Sequence, residues 1–260
     1  MKLDTDKMIA EKKNGVGWMT FNNPARRNAT SLEMWQAIGV IMNDFARDPS
    51  VKCCVMKGAG DKAFVSGADI SQFKEKRSDA DAAAQYDRIS EEARRGLVNF
   101  QKPLIAMIRG YCLGGGLGVA MNADFRIATE DSQFGIPAAR LGIAYTFENI
   151  KRLVGLVGPS FAKEILITAR RLSAAEAYQI GLINRVVPVD KLEETVAEFT
   201  DAITVNAPLS MKASKLIIAE ILKDKDERDY DMIDGLKREC FDSNDYKEGR
   251  EAFMEKRKPA

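Results

Sequence analysis

Two short segments of this chain are built for backbone chemistry. The first is Lys62-Ala63-Phe64-Val65-Ser66-Gly67-Ala68-Asp69-Ile70, and the second is Gly110-Tyr111-Cys112-Leu113-Gly114-Gly115-Gly116-Leu117-Gly118. Each leaves a strand-like run, and the second opens a helix. Glycines at such places let main-chain N–H groups come close to a ligand. A helix start adds unpaired donors and the positive end of the helix dipole. Two N–H groups converging on one point would stabilise an oxyanion. The rival reading is a pair of turns that need positive φ. A dinucleotide turn of the G-x-G-x-x-G type is not met, because Val119 stands where its third small residue would fall.

The rest of the composition narrows the chemistry. The 260 residues contain no histidine. That removes Ser-His-Asp and Cys-His nucleophile systems and the commonest transition-metal ligand. Proton transfer falls to Asp, Glu, Tyr, Lys or water. No metal site is expected. Lys and Arg total 39 against 38 acidic residues, a net charge of +1, so nothing points to nucleic acid or an anionic membrane. Cys53, Cys54, Cys112 and Cys240 form no C-x-x-C pair and read as buried thiols of a reducing compartment. Met1–Lys13 lacks the pattern of a secretory signal. Apolar runs such as Leu104–Ile108 are too short to span a bilayer. The expected location is the cytoplasm.

These segments need elements to hold them. Lys7–Lys13 and Val16–Asn22 read as strands joined by an Asn14-Gly15 turn. Leu32–Ala46 reads as a helix with Leu32, Trp35, Ile38, Ile41, Met42 and Phe45 on one face. Val51–Lys57, Leu104–Arg109 and Phe125–Thr129 read as strands, with helices over Asp79–Phe100 and from Leu117. The alternation implies an α/β core. After Pro188 the pattern is helical: Lys191–Val205, Leu209–Lys223, Arg228–Cys240 and Asp245–Lys256. The expected division is an α/β core over 1–188 and a helical region over 189–260.

The chain resembles the crotonase (enoyl-CoA hydratase/isomerase) superfamily from about Met8 to Lys258. The resemblance is carried by Asn22-Asn23-Pro24 with Asn28-Ala29, by both glycine segments, by Lys102-Pro103, by Asp124 to Ala128, by Phe134-Gly135 with Pro137, by Leu141-Gly142, and by Phe253 with Glu255-Lys256-Arg257-Lys258. It implies an α/β spiral of β-β-α units with a helical C-terminal region that builds trimers or dimers of trimers. The substrate it implies is an acyl-CoA thioester, with coenzyme A as part of the substrate and no separate cofactor. Ala68 and Gly115 match the two oxyanion-hole positions. Arg26, Arg27, Lys62, Ala63 and Gly67 lie where the family meets coenzyme A. Lys256 matches a position that reaches a neighbouring subunit's ligand. Asp69 and Asp124 match structural acids.

Two family features are missing. The hydratase glutamates correspond here to Gly118 and Ala138. Replacement candidates are Tyr145 and Glu148, three apart and so expected to share a helix face. Leu141-Gly142-x-x-Tyr145 and the ending from Asp242 to Pro259 are similar to methylmalonyl-CoA decarboxylases, although those keep the first glutamate. The implied activity is enolate stabilisation on an acyl-CoA thioester. Decarboxylation of a malonyl-type thioester and a catalytically weak acyl-CoA binding protein are the alternatives.

Overall fold

The computed structural model describes residues 1–69 and 80–259, with side chains of 80–84, 86 and 87 excluded. Ile70 of the first glycine segment and Asp79, the expected start of a helix, lie outside the described residues. The chain opens with β1 (Met8–Lys13) and β2 (Val16–Phe21), paired antiparallel. Asn14 and Gly15 both have positive φ, 52° and 78°. That is the geometry of a two-residue turn matched to strand twist. Helix α1 (Leu32–Arg47) buries Met34, Trp35, Ile38, Ile41, Met42 and Phe45, an apolar stripe at helical spacing.

A repeat of strand, strand, helix follows. β3 (Cys53–Gly58) and β4 (Ala63–Val65) lead to α2 (Ala80–Val98). β5 (Leu104–Ile108) and β6 (Tyr111–Leu113) lead to α3 (Gly115–Ala120). β7 (Phe125–Thr129) and β8 (Gln133–Gly135) lead to α4 (Phe147–Thr168), which breaks at Gly158-Pro159. The first strand of each repeat joins one sheet and the second joins another. β9 (Leu172–Ser173) and β10 (Arg185–Val187), separated by α5 (Ala174–Gln179), close the sheets. The orders are β1-β2-β3-β5-β7-β10 and β4-β6-β8-β9, parallel apart from the β1/β2 and β8/β9 pairs. This is the expected α/β spiral.

Both faces of the larger sheet are covered, as an α/β sheet requires. The adjacent cysteines show it: Cys54 packs in the main core with α1, and Cys53 faces the second cluster under α6 (Leu192–Thr204). Three further helices end the chain: α7 (Pro208–Ile221), α8 (Tyr230–Phe241) and α9 (Asn244–Glu255). Each expected C-terminal helix is present within two residues of its expected bounds. Among the described residues, no helix is long and apolar enough to cross a membrane.

Burial sets an alkaline limit on this core. It raises the Cys53 thiol to about 12 and pushes Cys54 and Cys112 up as well. The folded state then holds protons that unfolded thiols release near pH 8.5–9. This stabilisation is complete below about pH 8 and is lost above it, by up to about 1.4 kcal/mol per thiol per pH unit. The urea midpoint should be flat from pH 7 to about 8 and fall steeply by about pH 10.5. A Cys54→Ala variant should show a shallower fall.

One charged contact ties α7 to the core. Lys215 donates from Nζ to Asp124 Oδ2 at 2.8 Å and to the Lys102 carbonyl at 3.0 Å. Asp124 also accepts the Leu104 amide at 2.7 Å. Asp124 thus serves as the structural acid expected of it. The pair is mostly shielded, with side-chain exposures of 18% and 27%. Lys215→Met should lower unfolding free energy by about 1–3 kcal/mol in urea melts, since it leaves a half-buried carboxylate unpaired.

Candidate active site

The two glycine segments end side by side. β4 and β6 are parallel neighbours, so Ala68 and Gly115 leave adjacent strands in the same direction. Thr30 pins the first segment: its N–H donates to the Gly67 carbonyl at 2.8 Å, and its own carbonyl accepts the Asp69 N–H at 2.9 Å. These bonds flank Ala68, whose own N–H is left pointing away from Thr30. Gly114 donates to the Gly135 carbonyl at 2.8 Å and adopts φ 53°, ψ −120°, a conformation open only to glycine. The chain then turns directly into α3, where Gly115 is the first helical residue and its N–H has no intrahelical acceptor.

Gly116 lets the segments meet. A Cβ there would lie 2.0 Å from the Val65 carbonyl oxygen, so any side chain would push α3 off β4. With glycine, a Cβ built on Gly115 would stand only 3.8 Å from the Ala68 nitrogen. Among the described residues, neither the Ala68 nor the Gly115 N–H donates a hydrogen bond. Two unsatisfied donors on adjoining segments are the groups an anionic or strongly polarised oxygen would need.

Tyr145 packs against the second of these segments. Its hydroxyl donates to the Gly114 carbonyl at 3.2 Å, beside the Gly118 N–H at 3.0 Å. The Gly114 carbonyl and the Gly115 N–H belong to one peptide plane. Fixing one end fixes the aim of the other. Burial pushes the Tyr145 hydroxyl above its ordinary range, against a smaller opposing pull from Arg94. It is a neutral donor at physiological pH.

The expectation that Tyr145 and Glu148 share a helix face needs correction. Tyr145 precedes Thr146, the cap of α4, and is half-buried, whereas Glu148 is exposed in the first turn. A cap residue interrupts helical spacing, so a three-residue interval crossing it no longer aligns side chains. The Glu148 charge instead bears on Arg152, one turn along, opposing the fall in that guanidinium's pKa caused by burial. Nothing in the sequence marks Asn149, the other polar residue at this point. It is 7% exposed, and neither atom of its amide has a hydrogen-bond partner among the described residues.

Both hydratase positions are free of carboxylate. A Cβ on Gly118 would stand 2.9 Å from the Tyr145 hydroxyl and 3.7 and 3.8 Å from the Asn149 amide oxygen and nitrogen. Tyr145 and Asn149 thus occupy the room an acid at 118 would need. Ala138 is half-buried in the 3-10 turn Pro137–Leu141, next to β8.

Arg26, Arg27, Lys62, Ala63 and Gly67, expected at coenzyme A, lie on linked segments beside Tyr111, whereas Lys256 lies at the end of the last helix. Arg26 ends a 3-10 turn, and Arg27 follows with φ 51°. The Ser66 N–H donates to the Arg27 carbonyl at 3.1 Å, and the Ser66 hydroxyl to the Arg26 carbonyl at 3.4 Å, lashing both to the Ser66–Gly67 segment. Buried Asn28 donates to the Ala59 and Ala63 carbonyls at 2.9 and 2.7 Å. Lys62 is exposed, 3.7 Å from Asp61. The Arg27 and Arg171 guanidiniums each lie 5.2 Å from the Tyr111 ring centre. Arg171 was not expected from sequence, where it is one arginine among many. Lys256 caps α9 with φ 54° and is exposed. No group of three or more acidic or thiol side chains that could hold a metal occurs among the described residues.

Comparison with known proteins agrees with this architecture. The family described as enoyl-CoA hydratase/isomerase matches residues 11–260. A crotonyl-CoA hydratase of Syntrophomonas wolfei subsp. wolfei is 37% identical over 257 residues, covering 97% of this chain and 96% of that protein. A methylmalonyl-CoA decarboxylase of Escherichia coli (strain K12) is 30% identical over 249 residues, covering 95% and 94%. The crystal structure of an enoyl-CoA hydratase/carnithine racemase from Magnetospirillum magneticum superposes with a TM-score of 0.93 at 32% identity, covering 99% of this chain and 96% of that one.

Proposed function

This chain belongs to the enoyl-CoA hydratase/isomerase family, and from that premise we propose that it processes an acyl-CoA thioester by holding the thioester oxygen between the N–H groups of Ala68 and Gly115. The observation that carries the reading is the pair of unpartnered amides on adjoining segments. As an enolate forms, its oxygen gains charge, and two donors aimed at it stabilise the transition state more than the ground state. Arg26, Arg27, Lys62, Ala63 and Gly67 are assigned to the coenzyme A part of the substrate, with Arg171 beside them. The C-terminal helices, with exposed Leu222, Phe241, Phe253 and Met254, are assigned to contact with further copies of the chain, where Lys256 would meet a neighbour's ligand.

Within that reading, decarboxylation of a malonyl-type thioester is favoured over hydration. Positions 118 and 138 carry no acid, so no positioned pair of carboxylates activates water. Decarboxylation requires none. The Cα–carboxylate bond breaks, its electron pair passes to the thioester oxygen in the amide pocket, CO₂ leaves, and Cα takes a proton from water. Neutral Tyr145 supports the pocket by holding the Gly114 carbonyl.

The direct test supplies methylmalonyl-CoA and crotonyl-CoA to the purified protein. CO₂ release from the first should exceed loss of enoyl absorbance with the second by at least about 100-fold, the value of one missing acid or base. Fast hydration with no CO₂ release would overturn the decarboxylase reading. Because burial keeps Tyr145 protonated, kcat should be level from pH 6 to 9. A Glu148→Gln variant should retain turnover within threefold, and a larger loss would give Glu148 a part in proton delivery.

A further inference from the structure

We infer that Asn149 is the specificity-determining group beside the reacting carbons, selecting acyl thioesters that carry a hydrogen-bond acceptor on the carbon next to Cα. The inference deepens the proposed function and rests on it. Asn149 is a polar side chain 93% removed from solvent, with no hydrogen-bond partner for its amide among the described residues. Its amide atoms are not among the side-chain atoms that are both fully buried and unpartnered, so the amide keeps part of that small remaining exposure and opens to solvent without a protein partner. An amide that opens to the site and is committed to no protein group is free to meet a ligand.

Its location names the ligand chemistry. Gly118 is three residues after Gly115 on α3, so the two lie on one side of the helix. A group beside Gly118 therefore lies one helical step from the amide that takes the thioester oxygen. Both Asn149 amide atoms fall within 3.8 Å of the point where a Gly118 Cβ would stand. Tyr145 borders the same point, but its proton is committed to the Gly114 carbonyl. The Asn149 NH₂ is thus the uncommitted donor there. Removal of the carboxylate from position 118 converts that spot from one that repels an anionic or carbonyl oxygen to one that donates to it. A carboxylate or keto oxygen on the substrate fits. A plain alkyl chain leaves the amide unmet.

The test uses two thioesters of equal carbon count that the site cannot decarboxylate, acetoacetyl-CoA and butyryl-CoA, with binding read by titration calorimetry. Wild type should bind acetoacetyl-CoA at least tenfold more tightly. Asn149→Leu should weaken acetoacetyl-CoA at least tenfold and change butyryl-CoA less than twofold. Asn149→Asp keeps the size and shape but removes the donors, so it should lose acetoacetyl-CoA as severely. Equal affinity of wild type for both thioesters, a parallel loss of both in the variants, or full acetoacetyl-CoA binding by Asn149→Asp would each overturn the assignment of Asn149. Failure of wild type to bind either thioester would instead overturn the acyl-CoA reading beneath it.

Discussion

Gly115→Pro should lower kcat/KM by roughly 10²–10³-fold while leaving the fold intact, the loss of about 3–4 kcal/mol expected for one oxyanion donor. The substitution suits the site because proline is well accepted at the first position of a helix, where the N–H has no intrahelical bond to lose. The φ of Gly115 is not positive, so the ring is not excluded by the backbone. A Cβ at 115 meets nothing closer than 3.8 Å. Proline therefore removes the donor and sets carbon in its place. Free coenzyme A should bind as before, since its contacts are assigned to the Arg27–Lys62 edge. Thermal melts should agree with wild type within a few degrees.

Gly116→Ala makes the contrast. Its Cβ would meet the Val65 carbonyl at 2.0 Å, so α3 must move off β4. That variant should lose stability and activity together. Turnover within threefold of wild type in Gly115→Pro would show that the amide is a bystander, and the proposed chemistry would fail with it.

The sequence announced these amides because their requirement is local. Only glycine accepts the Gly114 backbone or the contact at Gly116, so the motif must be written in residue types. The strands, the hairpin at Asn14-Gly15 and the C-terminal helices were legible for the same reason. Turn chemistry and apolar period are short-range signals. What stayed hidden depends on three-dimensional neighbours. β9 is two residues long and exists through its pairing with β8. The small-residue end of β8 and the 3-10 turn after it set where Tyr145 falls. Nothing in the spacing of Tyr145 and Glu148 reveals that a cap residue separates them. Asn149 reads as an ordinary helix-start residue until its neighbour across the fold is seen to be Gly118. Arg171 gains meaning only from Tyr111, sixty residues earlier in the chain and stacked against Arg27 as well.

Rebuilding the absent acids should create hydration. Gly118 and Gly115 share a side of α3, so a glutamate at 118 would project toward the carbon beyond the thioester carbonyl. Glutamate at 138 would enter from the turn after β8. The double variant Gly118→Glu/Ala138→Glu should nonetheless be a poor enzyme, because a Cβ at 118 would sit 2.9 Å from the Tyr145 hydroxyl. Tyr145 is half-buried with its hydroxyl held by the Gly114 carbonyl, so its ring cannot swing aside cheaply. Adding Tyr145→Phe removes the clashing oxygen. It also removes the hydrogen bond to the Gly114 carbonyl, a cost of about 1 kcal/mol or roughly fivefold in rate. A correctly placed acid or base contributes on the order of 10²–10⁴-fold, so the gain outweighs the cost. The triple variant should therefore hydrate crotonyl-CoA at least about 100-fold faster than wild type, read as loss of enoyl absorbance, and its rate should fall at low pH as the new carboxylates protonate. If wild type already hydrated crotonyl-CoA at an ordinary enzymatic rate of about 10 s⁻¹, the missing carboxylates would not be what sets this site apart. If the triple variant gained nothing while still binding acyl-CoA, Gly118 would not face the reacting carbons, and the geometry argued from α3 would be wrong.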